Sequence, residues 1–403
     1  MSKFRKKCNR YYKFGAPTMA KKVGVYPYFM HINSEQNPVV EMDGKPTIML
    51  GSNNYLGMTS HPRVKEKAIE TINEFGVGTT GSRLLNGTME LHVELEQRLA
   101  NFLGMEDCVV FSTGLLANFG SISALLSEED EWVISDQYNH ASIIDGIRLG
   151  RFNQENKYIF KHNDMDDLEK GLRSVPKGKG MIITDGVFSM EGDIAPLGHL
   201  VDLAEDYDAF VYIDDAHGVG VLGSHGRGTS DYFGVTDKID LIMGTFSKSF
   251  ASVGGYIAAS KEVCNWIRHK SRPFIFTASP PPSTCATVLA ILDIIEKDDS
   301  YQRNLLDMAL KMKTGLSDAG FEVTDSHTAI IPLIIGSEKK MLKFFHELYK
   351  HEPKGVFTNP VRFPATPKGR ELLRTSYMAS MNADLIDEAL EIITKVGKKI
   401  KVI

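Results

Sequence analysis

A lysine in an unusual setting is the first residue of this chain that could do chemistry. Lys248 belongs to the run GTFSKS at residues 244–249, which directly follows the apolar residues 241–243. A partly desolvated lysine loses its proton more easily and becomes a nucleophile that forms an imine with a carbonyl cofactor. Thr245 and Ser247 are candidates for hydrogen bonds to a phosphate. Taken alone, the motif is better explained as a surface lysine in a Gly/Ser loop, so it needs support from other residues.

Two adjacent carboxylates, Asp214 and Asp215, supply that support. They follow the apolar residues 210–213, and a carboxylate at the end of a buried strand is costly unless a cation pairs with it. A protonated pyridine nitrogen is such a cation, and a protonated ring can take up the electrons of a carbanion. We therefore assign Asp214 to a pyridine nitrogen and expect His217 to face the same site. The alternatives are a helix cap or a Mg²⁺ site, but no GKS or GKT phosphate loop is present and we predict no metal.

A candidate phosphate cradle lies between the apolar residues 109–111 and a predicted helix at 116–126. Here Ser112, Thr113 and Gly114 direct backbone N–H groups and two hydroxyls at one spot, where the helix dipole adds partial positive charge. An ordinary strand-to-helix cap explains this turn equally well. His140 follows the apolar residues 132–135 and could stack on a flat ring, although a plain loop histidine is the usual alternative.

A glycine motif at residues 76–81 matches GxGxxG but does not fit its surroundings. The dinucleotide fingerprint requires a strand before the glycines and a helix opening among them. Here a predicted helix, 62–74, precedes the glycines, and residues 82–87 continue as a loop. An NAD-dependent oxidoreductase therefore remains a remote alternative that rests on these glycines alone.

The elements that must position these residues alternate along the chain. Short apolar runs at 108–111, 132–135, 158–160, 181–184, 210–213, 241–243 and 256–259 are separated by helical or loop stretches. This pattern predicts an α/β fold with a mostly parallel seven-stranded sheet between helices, in which ligands bind beyond the carboxyl ends of the strands. We expect an N-terminal arm and the start of a hairpin at 1–45, a large domain at 46–295 and a smaller α+β domain at 296–403.

Composition and charge narrow the class of protein. The net charge of −5 lacks the positive excess that is typical of nucleic-acid-binding proteins. No apolar run is long enough to span a membrane. Four widely spaced cysteines suggest reduced thiols and a cytoplasmic location. The first 25 residues hold eight Lys/Arg and no acid. We expect a solvated arm, or one packed on a partner subunit, with at most peripheral contact with an anionic membrane.

Several motifs together resemble the fold-type I pyridoxal-phosphate (PLP) enzymes, and within them the α-oxoamine synthases. The resemblance spans residues 24–400 and is carried by SNNYLG at 52–57, GSR at 81–83, NGT at 86–88, HAS at 140–142, TDGVFSMEG at 184–192, DDAH at 214–217 and GTFSK at 244–248. It implies the PLP-dependent transferase fold type I, with PLP as the cofactor.

The resemblance also implies roles for individual residues. Lys248 would carry PLP, Asp214 would pair with the pyridine nitrogen, His140 would stack on the ring and His217 would contact its ring oxygen. These four are the expected catalytic residues. The remaining cofactor-binding residues, several of them around the phosphate, are expected to be Ser112, Thr113, Gly114, Leu115, Ser189, Thr245, Ser247 and Thr277. Thr277 would reach the phosphate from a second subunit, which implies a homodimer with shared active sites.

The implied substrates are an amino acid and an acyl thioester carried on CoA or an acyl carrier protein. Asn54, Arg374 and Arg362 would handle the amino-acid carboxylate, because a guanidinium forks onto both oxygens. The favoured reaction is a decarboxylating Claisen-type condensation of L-serine with a long-chain acyl group, giving 3-ketosphinganine. Glycine, alanine or cysteate as the amino acid are the alternatives within the family, and a non-catalytic partner subunit is a further one that the presence of Lys248 disfavours.

Three positions depart from the family pattern. Leu115 stands where an aromatic residue is common, Met30-His31 replaces an Arg-Pro pair, and Ser380-Met381-Asn382 replaces a Thr-His-Thr-like stretch. The last two could touch the substrate, so they bear on the identity of the amino acid more than on the chemistry.

Overall fold

The computed structural model describes residues 1–22, 24 and 26–403. Seven strands of the described chain form the central sheet, and they coincide with the seven apolar runs of the sequence. They are β3 (Asp107–Phe111), β4 (Trp132–Asp136), β5 (Lys157–Phe160), β6 (Gly180–Asp185), β7 (Phe210–Asp214), β8 (Leu241–Thr245) and β9 (Gly255–Ala259).

The order of the strands in this sheet is β3-β9-β8-β7-β6-β4-β5, and only β9 runs antiparallel to its neighbours. The prediction of a mostly parallel seven-stranded sheet is therefore confirmed. The apolar runs lack alternation because helices cover both faces, so side chains pointing either way are buried. In the register, Asp185 of β6 lies opposite Asp214 of β7, which lies opposite Met243 of β8. The polar residues that end these strands therefore meet at one edge.

Helices surround the sheet and build the two ends of the chain. They are α1 (Lys3–Phe14), α2 (Ala16–Lys22), α3 (Pro62–Phe75), α4 (Glu90–Leu103), α5 (Gly114–Leu125), α6 (Ala141–Leu149), α7 (Met165–Arg173), α8 (Leu197–Tyr207), α9 (Thr229–Tyr232), α10 (Lys261–Lys270), α11 (Arg272–Ile275), α12 (Pro282–Ile295), α13 (Ser300–Asp318), α14 (Glu338–Tyr349) and α15 (Ala383–Lys399). The helices that the sequence predicts at 62–74 and 116–126 correspond to α3 and α5.

Two three-stranded sheets lie outside the central one. Their strands are β1 (Val39–Met42), β2 (Lys45–Met49), β10 (Ile330–Ile334), β11 (Gly355–Phe357), β12 (Asn359–Val361) and β13 (Leu372–Ser376). One sheet has the order β1-β2-β11 and the other β10-β13-β12. The predicted hairpin around residues 43–44 is confirmed as β1 and β2.

The hydrophobic core of the C-terminal region includes residues from the N-terminal hairpin. Ile48 and Met49 of β2 are buried in one cluster with Leu305 of α13, Phe344 of α14 and Ile386 of α15. The boundaries at residues 45/46 and 295/296 stay predictions, but the side chains of β2 pack with the C-terminal elements. Among the residues that the structure describes, no helix combines the length and the apolar character needed to cross a membrane.

Candidate active site

The acidic edge of the sheet is built around Asp214. Asp214 is 3 % exposed, and its carboxylate accepts hydrogen bonds from Nδ2 of Asn118 at 2.7 Å and from the backbone N–H of Ala216 at 3.1 Å. Asn118 is itself fixed, because its Oδ1 accepts a bond from the Tyr212 hydroxyl at 2.7 Å. The neighbouring Asp215 instead accepts a bond from the backbone N–H of Thr229 at 2.7 Å. Asp214, not Asp215, is thus held among the polar residues at the sheet edge.

Lys248 lies in the loop after β8, beside this acidic edge. Burial lowers the pKa of its amine to about 8, although the nearby charges of Asp214 and Asp185 act in the opposite direction. Burial also raises the pKa of Asp185 well above its ordinary value, and the charge of Asp214 adds to the effect. A lysine with a lowered pKa beside buried carboxylates has the properties of an activated amine. The setting of Lys248 is therefore not that of an ordinary surface lysine.

His217 belongs to a buried chain of polar groups that ends at an arginine. Its Nδ1 lies 2.7 Å from the hydroxyl of Tyr55, and Arg374 donates to the same hydroxyl at 3.2 Å. Arg374 also donates to the backbone carbonyl of Ser189. Burial lowers the pKa of His217 well below its usual range, and the charges of Lys248 and Arg374 lower it further. The imidazole is therefore neutral at pH 7.

Arg374 is a buried cation with no carboxylate partner in the described part of the chain. It is 4 % exposed, and its neighbours are the Tyr55 hydroxyl, the Ser376 hydroxyl and the Ser189 carbonyl. An unpaired buried charge is costly, so a protein keeps one where an anionic ligand can pair with it. This arrangement fits a site for the carboxylate of an amino acid.

His140 connects to Asp214 through a short polar chain. Its Nδ1 accepts from the Ser142 backbone N–H at 3.2 Å and lies 2.7 Å from the Ser142 hydroxyl. Asn118 donates to that hydroxyl at 2.8 Å. Its backbone N–H donates to Asp185 at 2.7 Å. Burial lowers the pKa of His140, while the charge of Asp214 opposes this shift. Much of the residue is nevertheless exposed, which leaves ring surface available to a ligand.

The predicted phosphate cradle is a helix N-terminus packed closely against β8 and β9. Thr113 caps α5 by accepting a bond from the backbone N–H of Leu116 at 3.1 Å. A Cβ at Gly114 would come within 2.9 Å of Thr245 Oγ1, and a Cβ at Gly255 would come within 2.5 Å of the Gly114 Cα. Thr245 Oγ1 in turn lies 3.0 Å from Ser247 Oγ. The glycines thus allow backbone amides and two hydroxyls to share one small space, which suits a phosphate.

These features together fit PLP. The α5 N-terminus and the hydroxyls of Thr245 and Ser247 can hold a phosphate, the Asp214 carboxylate can meet a pyridinium, and the Lys248 amine can meet a carbonyl. Leu115, predicted to bind the cofactor, is 48 % exposed beside the cradle. Among the described residues, no group of three or more His, Cys, Asp or Glu side chains is arranged to bind a metal ion.

Two predicted site residues have other partners in the single chain, and a third, Thr277, lies next to a residue that contacts the cradle of its own chain. Asn54 donates to Gln36 O at 3.0 Å and to Thr59 Oγ1 at 2.8 Å, so its amide hydrogens are already engaged. Arg362 forms an ion pair with Glu338 at the surface instead of joining Arg374. Thr277 precedes Ala278, whose carbonyl accepts a bond from the Ser112 hydroxyl of the same chain. Their roles toward substrate and cofactor stay predictions.

The glycine motif at 76–81 has the context that argues against a dinucleotide site. Gly76 ends α3 with a positive φ of 76°, and the residues after it form a loop. A β-bridge between Ser82 and Ala278 and an ion pair between Arg83 and Glu96 join this loop to the body. No strand leads into these glycines within the described residues, so the strand-to-helix turn of the fingerprint is not formed.

Four residues of the cluster were not predicted to be functional. Each of the four forms a hydrogen bond with a predicted site residue: Tyr55 with His217, Asn118 with Asp214, and both Ser142 and Asp185 with His140. Asp185 had a detectable signal, because it ends β6 just as Asp214 ends β7. Asn118 is a buried polar residue of α5, a helix that is mostly apolar, which is a weaker signal of the same kind.

Comparisons with known proteins show the family to which the chain belongs. A profile of the family "Aminotransferase class I and II" matches residues 45–393. A serine palmitoyltransferase (SPT) of Bacteriovorax stolpii is 47% identical over 376 residues, which cover 93% of this chain and 88% of that protein. An 8-amino-7-oxononanoate synthase of Thermoanaerobacter pseudethanolicus is 44% identical over 386 residues, 95% of this chain and 96% of that protein. A solved SPT structure with the PLP internal aldimine has a TM-score of 0.93 at 35% identity, covering 98% of this chain and 99% of that one.

The seven-stranded sheet with a lysine and an acid at its carboxyl edge defines a PLP enzyme of fold type I. The chain belongs to the aminotransferase class I and II family, and within it to the α-oxoamine synthases, which are PLP-dependent acyltransferases. The predictions of fold, enzyme class and cofactor are confirmed.

Proposed function

We propose that this enzyme condenses L-serine with a long-chain acyl thioester to give 3-ketosphinganine, the first step of sphingolipid synthesis. The serine Cα loses its proton and forms a bond to the acyl carbon, and the thiol leaves from that carbon with a proton. The bond from Cα to the carboxylate then breaks, CO₂ leaves, and Cα takes up a proton in its place. The thioester is palmitoyl-CoA or the corresponding acyl carrier protein. The observation that carries the amino-acid half of the proposal is Arg374, a buried guanidinium without a carboxylate partner among the described residues.

The residues of the site have complementary tasks in this reaction. Bound PLP supplies a ring that takes up the electrons left when Cα loses a proton. Asp214 would hold the pyridine nitrogen protonated, with Asn118 orienting the carboxylate. Lys248, whose pKa burial lowers to about 8, is suited to accept the Cα proton near neutral pH. Arg374 would bind the carboxylate until it leaves as CO₂.

The acyl thioester needs a hydrogen-bond donor for its carbonyl oxygen. His217 and His140 are the candidates, because burial lowers the pKa of each and a neutral imidazole can donate one hydrogen bond without carrying a full charge. Ser189, Ser112 and Thr113 would complete the surroundings of the cofactor. Asn54 would contact the substrate carboxylate only after exchanging its present partners Gln36 and Thr59.

Serine is the preferred amino acid because the solved structure cited above is an SPT and the 47% identical relative is named as one. A second candidate is alanine with a pimeloyl thioester. It is favoured by the 8-amino-7-oxononanoate synthase that is 44% identical over almost the whole chain. Cysteate and glycine are alternatives of the same chemistry.

We also propose that the enzyme is a homodimer in the cytoplasm. The loop after α3 and the segment before Thr277 expose large apolar side chains, including Val77, Leu85 and Phe276, which a second subunit could cover. Thr277 of each subunit would then reach the phosphate site of the other. The cysteines Cys8, Cys108, Cys264 and Cys285 are unpaired, which suits a reducing compartment.

Titration of the PLP-loaded enzyme with amino acids tests the substrate. Serine, alanine, glycine and cysteate are added separately while the visible absorbance of the cofactor is recorded. A saturable change with serine alone supports the proposal, and turnover with palmitoyl-CoA then tests the acyl half. A response to alanine but not to serine would assign the enzyme to the second candidate.

A further inference from the structure

The two N-terminal helices, α1 and α2, stand apart from the body of the enzyme. None of their residues is buried. Phe4 and Tyr12 of α1 are each 77 % exposed, and Tyr11 and Phe14 are nearly as open. We call α1 and α2 together the basic arm. An exposed set of aromatic side chains on an isolated helix indicates a surface that is covered by something else.

The side chains of α1 are separated into two faces. Phe4, Cys8 and Tyr11 follow the i, i+4, i+7 spacing of one helical stripe. Lys6, Arg10 and Lys13 follow the same spacing on the opposite side. Basic residues border the aromatic stripe on both of its edges, namely Lys7 on one and Arg5 on the other. Long cationic side chains on both edges of an apolar stripe match the geometry of a helix lying at the level of lipid head groups.

The charge of the chain is strongly segregated. The first 25 residues carry eight Lys/Arg and no acid, and the whole chain has a net charge of −5, so the remainder has a net charge of −13. The body is therefore repelled by an anionic surface, and only the arm is attracted to one. Such separation orients the protein with the arm toward negative charge.

Helix α1 also needs an external source of stability. It has twelve residues, six of them Lys or Arg, and it packs no side chain into the body. Isolated helices of this length are marginal in water, and like charges at i, i+4 spacing weaken them further. Burial of the aromatic stripe in a membrane interface, with lipid phosphates near the lysines, would stabilise α1, which packing against the body does not do.

We propose that the basic arm binds anionic lipid membranes through α1. Phe4, Cys8 and Tyr11 enter the boundary between head groups and acyl chains, while the basic side chains contact the head groups. Under the proposed function, this would hold the enzyme where a long-chain acyl substrate and a lipid product partition. The binding itself depends only on the arm.

Flotation of the full-length, PLP-loaded enzyme with vesicles tests the binding. Vesicles of phosphatidylcholine with about 30 % phosphatidylglycerol are compared with pure phosphatidylcholine, since the attraction is to anionic lipid. We expect binding to the anionic vesicles only, decreasing as salt rises from about 0.1 to 0.5 M. No binding to anionic vesicles would overturn the proposal.

Two variants separate the charge from the aromatic stripe. Lys6→Glu/Arg10→Glu/Lys13→Glu should weaken binding at least about tenfold, since each basic residue near the surface contributes on the order of 1 kcal/mol. The matched control, Lys297→Glu/Lys339→Glu/Lys395→Glu, changes the net charge equally at exposed lysines of the body and should bind like the wild type. Phe4→Ser/Tyr11→Ser keeps every charge and should also weaken binding. Equal binding by both charge variants, or full binding by the aromatic variant, would contradict the proposal.

Trypsin digestion distinguishes a membrane from a second copy of the chain as the partner. Without vesicles the arm should be cleaved at its lysines, and anionic vesicles should protect it. Protection in the absence of lipid would mean that the arm packs on another subunit, which overturns the proposal. All three variants should keep wild-type turnover with a short, water-soluble acyl thioester, so a wrong acyl donor and a wrong membrane assignment give different results.

Discussion

The hydroxyl of Tyr55 lies 2.7 Å from Nδ1 of His217 and also receives a hydrogen bond from Arg374. A guanidinium can only donate, so the Tyr55 oxygen accepts from Arg374. The hydroxyl hydrogen of Tyr55 can go to Nδ1 of His217 at 2.7 Å or to Oδ1 of Asn53 at 3.3 Å, and the shorter contact favours His217. Nδ1 of His217 is then the acceptor, and the imidazole proton resides on Nε2. Burial raises the pKa of Tyr55, so the phenol stays protonated. Arg374, the proposed carboxylate ligand, thereby favours the tautomer in which Nε2 of His217 can donate to a ligand.

Tyr55→Phe should lower kcat about tenfold while cofactor affinity stays unchanged. The substitution removes the group that selects the His217 tautomer, and a lost buried hydrogen bond costs about 1 kcal/mol. Steady-state kinetics and a PLP titration measure the two quantities. Tyr377→Phe is the matched control, because the Tyr377 hydroxyl is buried but bonds to Thr375. An equal kcat loss in both variants would assign the effect to stability alone.

Arg374→Met and Arg362→Met should separate the two candidate carboxylate ligands. Loss of the buried Arg374 should raise the KM for the amino acid about a hundredfold or more, since breaking a buried charge pair costs roughly 2–5 kcal/mol. Arg362 makes an exposed pair with Glu338, and such pairs contribute about 1 kcal/mol or less, so the KM should stay close to wild type. Steady-state kinetics at saturating acyl thioester measure both. A larger effect at Arg362 would reverse the assignment.

Lys248→Ala should abolish turnover and the visible absorbance of the bound cofactor together. Burial lowers the pKa of the Lys248 amine to about 8, against the opposing charges of Asp214 and Asp185, which fits its proposed role as the nucleophile of the site. The measurement is an absorbance spectrum after gel filtration with PLP. Lys270→Ala, at an exposed lysine of α10, should leave the spectrum unchanged. Turnover at the wild-type rate in Lys248→Ala would refute this assignment.

Asp214→Asn should leave PLP binding but slow exchange of the Cα proton at least about a hundredfold, in the range of acid–base effects. A neutral amide cannot hold a pyridinium, so the ring takes up electrons poorly. Exchange is followed by NMR in D₂O with the amino acid and no acyl donor. Asp240→Asn is the control for loss of a carboxylate elsewhere, and exchange should be unchanged in it. Asp240 lies at the opposite end of β8 and accepts from the Val211 N–H. Unchanged exchange in Asp214→Asn would show that another group holds the ring nitrogen.

Stability should decrease between pH 6.5 and about 9 through His162. Burial alone would lower its pKa, but hydrogen bonds to Asp136 and Asp193 outweigh burial and raise the pKa to about 9. Because the folded pKa is raised, the contribution is fully present below pH 6.5 and is lost as pH rises through 9. Charged hydrogen bonds of this kind are worth roughly 1.5–3 kcal/mol.

Urea unfolding of the wild type and His162→Gln measures this contribution. The difference in unfolding free energy should be largest near pH 6 and shrink toward pH 9.5. His269→Gln, at an exposed histidine of α10, should track the wild type throughout. A difference between wild type and His162→Gln that does not change with pH would argue against a charged imidazole between the two acids.

The central sheet and the polar residues at its carboxyl edge could be predicted because burial acts directly on residue type. Strands covered on both faces need uninterrupted apolar runs, and a charged residue that ends such a run is easy to see. Asp214 and Lys248 were found in this way, and Asp185 could have been. The structure brings them together through strand order, since β6, β7 and β8 are neighbours.

The supporting residues could not be predicted, because their roles depend on packing between distant segments. Tyr55 reaches His217 across 162 positions of sequence, and Asn118 reaches Asp214 across 96. Nothing in the composition near either residue reveals its partner. Arg374 and Arg362 were both predicted as carboxylate ligands, but the sequence does not distinguish their environments: Arg374 lies within β13 and is buried, whereas Arg362 directly follows β12 and pairs with Glu338 at the surface.

The parallel pairing of β2 with β11, which aligns Ile48 with Val356, has a consequence for how the protein is made. β2 leaves the ribosome about 300 residues before its neighbour, which at roughly 5–20 residues per second means a wait of about 15–60 s. Throughout that time an apolar strand has an unsatisfied edge that other chains could pair with. The sheet edge of β2 is therefore satisfied only after β11, within the last fifty residues, has been synthesised. Chaperones that shield exposed strands would act on β2 during this interval.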